Sequence, residues 1–264
     1  MNPTSNNVGS IYELQSQHQI NIRGVSHNHP PPPLPLNLPR SDLLVGRRED
    51  YNDICVPTYK ATITGNWKAA KIILDKRREL VRFSITESYD TVLHIAVMGK
   101  SYWFVEYLVS LMEKEDLELQ NQKGPCWIFP DSRGMMPLYM AALFGKHDMV
   151  RFLYHNSRNM SGDFWTHHNR GCVLVKCVEA NLFDVALQIV TDRPELAING
   201  SVLGLLARKP YAFDATRSNT FKRIIYSFLE ACHLKVGIPD METYALQLLR
   251  VIWAAIVKLP KAQN

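Results

Sequence analysis

Between Asp53 and Phe213 apolar residues fall three and four apart, the spacing that gives a helix one buried face. They do so in recurring blocks, the mark of a repeat architecture. Thr91–Val109 reads TVLHIAVMGKSYWFVEYLV, and Met136–Tyr154 reads MPLYMAALFGKHDMVRFLY. A worn earlier block, Pro57–Asp75, reads PTYKATITGNWKAAKIILD, and a later one, Cys172–Val190, reads CVLVKCVEANLFDVALQIV. Aligned on one small residue, they place Ala61, Ala96, Ala141 and Cys177 in register, at spacings of 35, 45 and 36. A trace of a fifth block, SVLGLLARKP, begins at Ser201.

Each block predicts two helices joined by a tight turn. In the first helix Leu93 and Ala96, or Leu138 and Ala141, lie three apart on one face. The leucine fills the space between neighbouring hairpins, and the small residue admits the helix behind it. Gly65, Gly99 and Gly145 are expected to end the first helices in left-handed caps, where glycine carries the smallest penalty. The second helix supplies the other half of the core through Val105, Leu108 and Val109, through Val150 and Leu153, or through Val185, Ala186 and Ile189. One such hairpin alone exposes its apolar face, so stability has to come from stacking.

Segments such as SESYDT and DSRGMMP precede the first helices and carry Asp, Gly, Ser and Pro, as a hairpin-like connection does. They separate this pattern from a helical-hairpin solenoid of the tetratricopeptide kind and favour an ankyrin repeat. TVLHIA and MPLYMAALFG resemble the ankyrin signature T-P-L-H-x-A. Thr91, Leu93, His94 and Ala96 match it in the first, with Val92 in place of proline. Pro137, Leu138 and Ala141 match it in the second, with Met136 and Tyr139 as departures. Longer strings, EDLELQNQKG, GMMPLYMAALFGKHDMV, LARKPYAF and ETYALQLLRVIW, resemble the plant ankyrin-repeat family whose full members carry a C-terminal PGG domain. The resemblance runs from about residue 55 to the end. It implies an all-α ankyrin-repeat solenoid with a helical C-terminal tail, followed in the family by a membrane-anchored PGG domain. It further implies a scaffold or adaptor in plant defence, cell-death or salt-stress signalling. In that family Leu93, His94, Ala96, Pro137, Leu138 and Ala141 are structural, with the histidine bridging neighbouring turns.

The chain departs from the family twice. Only PCWIFPD lies between QNQKG and SRGMMP, where the family would hold another repeat, and a missing repeat is the expected cause. The PGG motif is absent, so membrane anchoring is not carried over. The expected organisation is an unstructured Pro-rich segment over 1–52 and repeats over 53–213, then a basic helical linker or cap over 214–264. The repeats divide as 57–88, 89–122, an irregular insert 123–133, 134–169, 170–200 and a degenerate copy 201–213.

Composition adds charge and redox context. The net charge of +5 sits wholly in the last 58 residues, where Lys and Arg outnumber Asp and Glu by 9 to 4. Such a tail suits an acidic partner, an anionic membrane or RNA, though a solvated helical face is the plainer reading. Five cysteines at wide spacing, with no signal-like start, argue against a disulfide framework. No stretch reaches the ~18 apolar residues a spanning helix needs, so a cytoplasmic chain is expected, with the inner face of the plasma membrane as the alternative. PPPPLPLNLP could dock in an aromatic-lined groove, or serve as a spacer.

No G-x-S-x-G, phosphate-cradling G-x-x-x-x-G-K-[ST] or H-E-x-x-H is present, so no enzyme and no cofactor is expected. His167, His168, Cys172 and Cys177 form a zinc-compatible set of residue types at a spacing foreign to zinc fingers, and no metal is assigned. Cys177 is already explained as the small register residue. Tyr244, Leu248, Val251, Ile252, Ala255 and Leu259 form an apolar stripe on a C-terminal helix. Packing on the last repeat is one use for it, and lying on an anionic membrane through 240–264 is the other. The expected function is recognition of another protein, with nucleic acid disfavoured. The expected contacts are the concave face of the first helices and the loop tips: Ser88, Tyr89, Asp90, Arg133, Met135, His167, His168 and Arg170. The competing reading is a truncated regulatory or non-functional form of a membrane-anchored relative.

Overall fold

The computed structural model describes residues 37–122, 134–198, 200–213 and 243–258. These residues are mostly helical and contain no strand; one isolated bridge joins Arg40 and Phe83. The fold is all-α. Four hairpins follow one another: α1 (Val56–Ile63) with α2 (Trp67–Lys76), α3 (Val92–Met98) with α4 (Tyr102–Leu111), α5 (Pro137–Leu143) with α6 (His147–Asn156), and α7 (His167–Glu179) with α8 (Phe183–Asp192). Two further helices are described, α9 (Gly200–Ala207) and α10 (Tyr244–Val257).

The four turns are built alike, and the reason is the register residue. Each turn has three residues, the middle one left-handed: Gly65, Lys100, Gly145 and Asn181, with φ of 67°, 59°, 63° and 63°. The carbonyls of Ala61, Ala96, Ala141 and Cys177 accept the amides of Asn66, Ser101, Lys146 and Leu182 at 2.8, 3.4, 3.1 and 2.8 Å. A second bond closes inside each, from the left-handed residue's amide to the carbonyl of Thr62, Val97, Ala142 or Val178. This double closure satisfies the last free carbonyls of the first helix and reverses the chain. Gly99 does not take the left-handed position expected of it. Lys100 does, and Gly99 is small for another reason: a Cβ there would sit 2.9 Å from the Ile63 carbonyl oxygen of the previous hairpin.

First helices stack on first helices, α1 on α3, α3 on α5, α5 on α7 and α7 on α9. Leu74, Leu93, Val105, Leu108, Leu138, Val150, Leu153, Val185 and Ile189 are all buried in one continuous core. After each second helix the chain drives one more apolar side chain inward: Leu80, Leu117, Met160 and Leu196. In three hairpins this plug rides on a 3-10 turn, whereas Met160 ends a left-handed run of Arg158, Asn159 and Met160.

Hairpin two packs directly on hairpin three despite the 45-residue step. Residues 123–133 lie outside the described residues, but their flanks are tied together: the Asn121 amide donates to the Met135 carbonyl at 3.2 Å, and the Met135 amide to Asn121 Oδ1 at 3.0 Å. The 45-residue step therefore holds the pairing of hairpins two and three with its flanks joined at Asn121 and Met135.

Two expectations are corrected at the ends. Residues 37–52, assigned to the unstructured segment, are placed on the stack. Asn37 O accepts from the Gln120 amide, Arg40 O accepts from the Ser84 amide, and a helical run from Arg48 leads through a π turn (Tyr51–Cys55) into α1. The degenerate copy forms a first helix, with Val202 and Leu206 buried, and residues 214–242 after it lie outside the described residues. Helix α10 packs on α8, α9 and the 3-10 turn Pro194–Ile198, burying Ala245, Leu248 and Ile252. The buried stripe is thus rotated from the expected one, leaving Tyr244 and Val251 exposed, and Leu259 lies outside the described residues. No helix among the described residues is long and apolar enough to cross a membrane.

Candidate functional site

The first helices of hairpins two, three and four offer little surface. Val92–Val97, Pro137–Ala142 and Gly171–Val178 are buried throughout, so the concave face expected to carry contacts is closed over these stretches. Of the expected loop-tip residues, Asp90 is internal: Oδ1 accepts from Asn121 Nδ2 at 2.7 Å and Oδ2 from Thr86 Oγ1 at 3.0 Å. Ser88 and Tyr89 beside it remain half-buried. Met135 is held at both its backbone amide and its carbonyl, and Arg133 lies outside the described residues. His167, His168 and Arg170 are not on a loop. Thr166 caps α7 by accepting from the Asn169 amide at 3.0 Å, so the helix begins at His167 and all three ride its first turn. Arg170 Nε is spent on the Met160 carbonyl.

His94 joins its own turn to the start of the next hairpin. Its Nδ1 accepts from the Thr91 amide at 3.2 Å and lies 2.8 Å from Thr91 Oγ1. A ring nitrogen that accepts an N–H is unprotonated, so the proton sits on Nε2, which donates to the Met135 carbonyl at 2.8 Å. The zinc-compatible residues do not converge. Cys172 Sγ is 3.6 Å from His168 Nε2, while burial pushes the Cys177 thiol up to about 12. No group of three or more His, Cys, Asp or Glu side chains among the described residues could hold a metal.

The open surface lies on the second helices. An open groove of about 800 Å³ is lined by Tyr102 and Trp103 from α4, Arg151, Phe152 and His155 from α6, and Gln188 from α8. Trp103 is 80% exposed. Its ring meets Tyr102 edge-on at 6.0 Å, and Tyr102 meets Phe152 at 5.7 Å, so the three aromatics form one connected floor and wall. Sequence reasoning passed over Trp103, although the signal was present: it falls off the Val105–Leu108 stripe, where a helix has no internal use for an indole.

At one end of the groove His147 bridges two hairpins, with Nε2 2.7 Å from Asp184 Oδ2 and Nδ1 3.2 Å from Asp148 Oδ1. Burial disfavours its charge, but the two carboxylates outweigh burial and raise its pKa above the usual histidine value. Farther along, the Tyr154 hydroxyl donates to Asp192 at 2.8 Å, and Lys209 Nζ donates to the Glu179 carbonyl at the end of α7. The His147–Asp184 and Tyr154–Asp192 bonds thereby tie α6 to α8 along one side of the groove. Its chemistry is aromatic faces, the Arg151 guanidinium, the His155 imidazole, the Asp148 carboxylate and the amides of Asn156 and Gln188. Compared with known protein families, with curated proteins and with solved structures, the chain matches none.

Proposed function

We propose that this chain is a non-enzymatic recognition module of the ankyrin-repeat kind, akin to the plant family whose full members carry a PGG domain, and that it binds another protein. The observation that carries the reading is the exposed Trp103, set in a groove with the aromatic neighbours Tyr102 and Phe152. Large aromatics with an arginine beside them are the residues that dominate protein interfaces. Support for the ankyrin kind comes from the four alike turns and from His94 joining its own turn to the next hairpin. The binding surface is placed on the second helices between α4 and α8, with the half-buried tip at Ser88 and Tyr89 as a secondary contact. Affinity capture with purified protein tests it: Trp103→Ala should lose specific partners while melting at the wild-type temperature. Retention of the same partners by Trp103→Ala would remove the groove from the account.

A further inference from the structure

Between the start of α5 and the first turns of α7 lies a void of about 20 Å³, lined by Met135, Met136, Tyr139, Trp165, Asn169 and Cys172. That is room for one water-sized guest. Trp165 is 3% exposed, and its indole Nε1–H has no hydrogen-bond partner. A buried donor left unmatched is destabilising, so a small acceptor in the void would be held by it. Cys172, 5% exposed, lines the same void, and its sulfur lies 3.6 Å from His168 Nε2 one helical turn back. His168 is only half-buried, so it can pass a proton to solvent. A thiol beside an imidazole, facing a void that also holds an unpaired N–H donor, has the surroundings of a reactive cysteine.

We propose that Cys172 is an oxidation site for hydrogen peroxide, with the His168 imidazole as proton acceptor and the Trp165 N–H as donor to the oxygen that stays on sulfur. His168 takes the thiol proton, and the thiolate attacks one peroxide oxygen. The S–O bond forms as the O–O bond breaks. The departing oxygen leaves as hydroxide and collects the proton from His168, giving water. Sulfur loses two electrons and the peroxide gains them, so thiol plus peroxide becomes sulfenic acid plus water. The added oxygen occupies the void between hairpins three and four, against Met136 and Tyr139. Oxidation at this point reports on, and acts on, the stacking of those two hairpins.

The other described cysteines provide internal controls. Cys177 lies five residues farther along the same helix, fully buried, and Cys55 is equally buried; burial pushes their thiols up to about 12 and about 11. The experiment is a brief pulse of stoichiometric hydrogen peroxide on the reduced full chain with a sulfenic-acid-trapping diketone, read residue by residue by mass spectrometry. Cys172 should be trapped at least on the order of 10-fold faster than Cys177 or Cys55, and His168→Gln should slow it by a similar factor with an unchanged melt. Trapping of Cys172 at the rate of Cys177 in the wild-type chain would overturn the proposal without any variant. So would an undiminished Cys172 rate in folded His168→Gln.

Discussion

His94 Nε2 donates to the carbonyl oxygen of Met135 at 2.8 Å, joining residues 41 apart in sequence on either side of 123–133. The same carbonyl accepts the Asn121 amide, and Asn121 reaches back through Nδ2 to Asp90. All four residues except Met135 are almost fully buried, so the network has little water to fall back on. His94→Ala leaves the Met135 carbonyl and the Thr91 donors short of a partner and opens a cavity. We expect a loss of about 2–4 kcal/mol in denaturant unfolding. Combined with Asn121→Ala, the losses should fall short of additivity by roughly 0.5–3 kcal/mol, because both side chains hold Met135, His94 at its carbonyl and Asn121 Oδ1 at its amide. Strict additivity would mean that the two flanks of 123–133 are not coupled.

The turn after α3 makes a prediction of opposite sign at adjacent residues. Lys100 holds φ of 59° on the surface, so Lys100→Gly should stabilise by about 1 kcal/mol through relief of left-handed strain. Gly99→Ala should destabilise by more than that, since the new methyl meets the Ile63 carbonyl oxygen at 2.9 Å. Thermal melts of the two variants check the pair. If Gly99→Ala were neutral, hairpins one and two would not be in the close contact described.

Glu118 is buried, and its Oε2 accepts the Phe164 amide at 3.2 Å from the loop of hairpin three. Burial, with Asp163 and Glu115 nearby, raises its pKa above the usual carboxylate value. A carboxyl raised on folding contributes most below its unfolded pKa and loses that contribution as pH rises through the folded value. Its charge is therefore a liability at neutral pH. Glu118→Gln keeps an acceptor and drops the charge, so the melting temperature at pH 7 should rise by ~2–4 °C. Melts at pH 4 should show the gain shrinking, and a lower melting temperature at pH 7 would contradict the assignment.

The His147 bridge gives a second pH dependence. Its pKa is raised in the fold, so its pairing with Asp184 and Asp148 is fully present below the usual value of 6.5 and is lost as pH rises through the higher folded value. The wild type should exceed His147→Gln in melting temperature at pH 6, with the margin falling toward pH 8. The side chain is 40% exposed, so solvent and salt screen the pair and the margin should be small, about 1 °C. A margin that grows with pH would reverse the sign of the argument.

How much of this was legible beforehand varies with the kind of force involved. The hairpins followed from apolar periodicity, and the register of Ala61, Ala96, Ala141 and Cys177 located all four turns, because one small residue both packs closely and anchors the turn closure. Lys100 was missed because a glycine stood next to it, and glycine alone does not say whether it serves conformation or space. The plugs Leu80, Leu117, Met160 and Leu196 were missed because they sit on short turns of differing shape, outside any helical period. Asp90 read as a tip residue from its turn-like surroundings; only the long-range bond to Asn121 makes it internal. The groove needed three helices side by side, and a single stripe of sequence cannot show which exposed aromatic has neighbours.

The most direct test of the binding account is affinity capture from cells by the wild-type chain and by Trp103→Ala, run beside a surface control, Ile72→Ala, on the second helix of hairpin one. Ile72 is also exposed, at 61%, but lies outside the groove. The account predicts that Trp103→Ala loses the specific partners, that Ile72→Ala keeps them, and that both melt as the wild type does. Identical partners for all three proteins would contradict it.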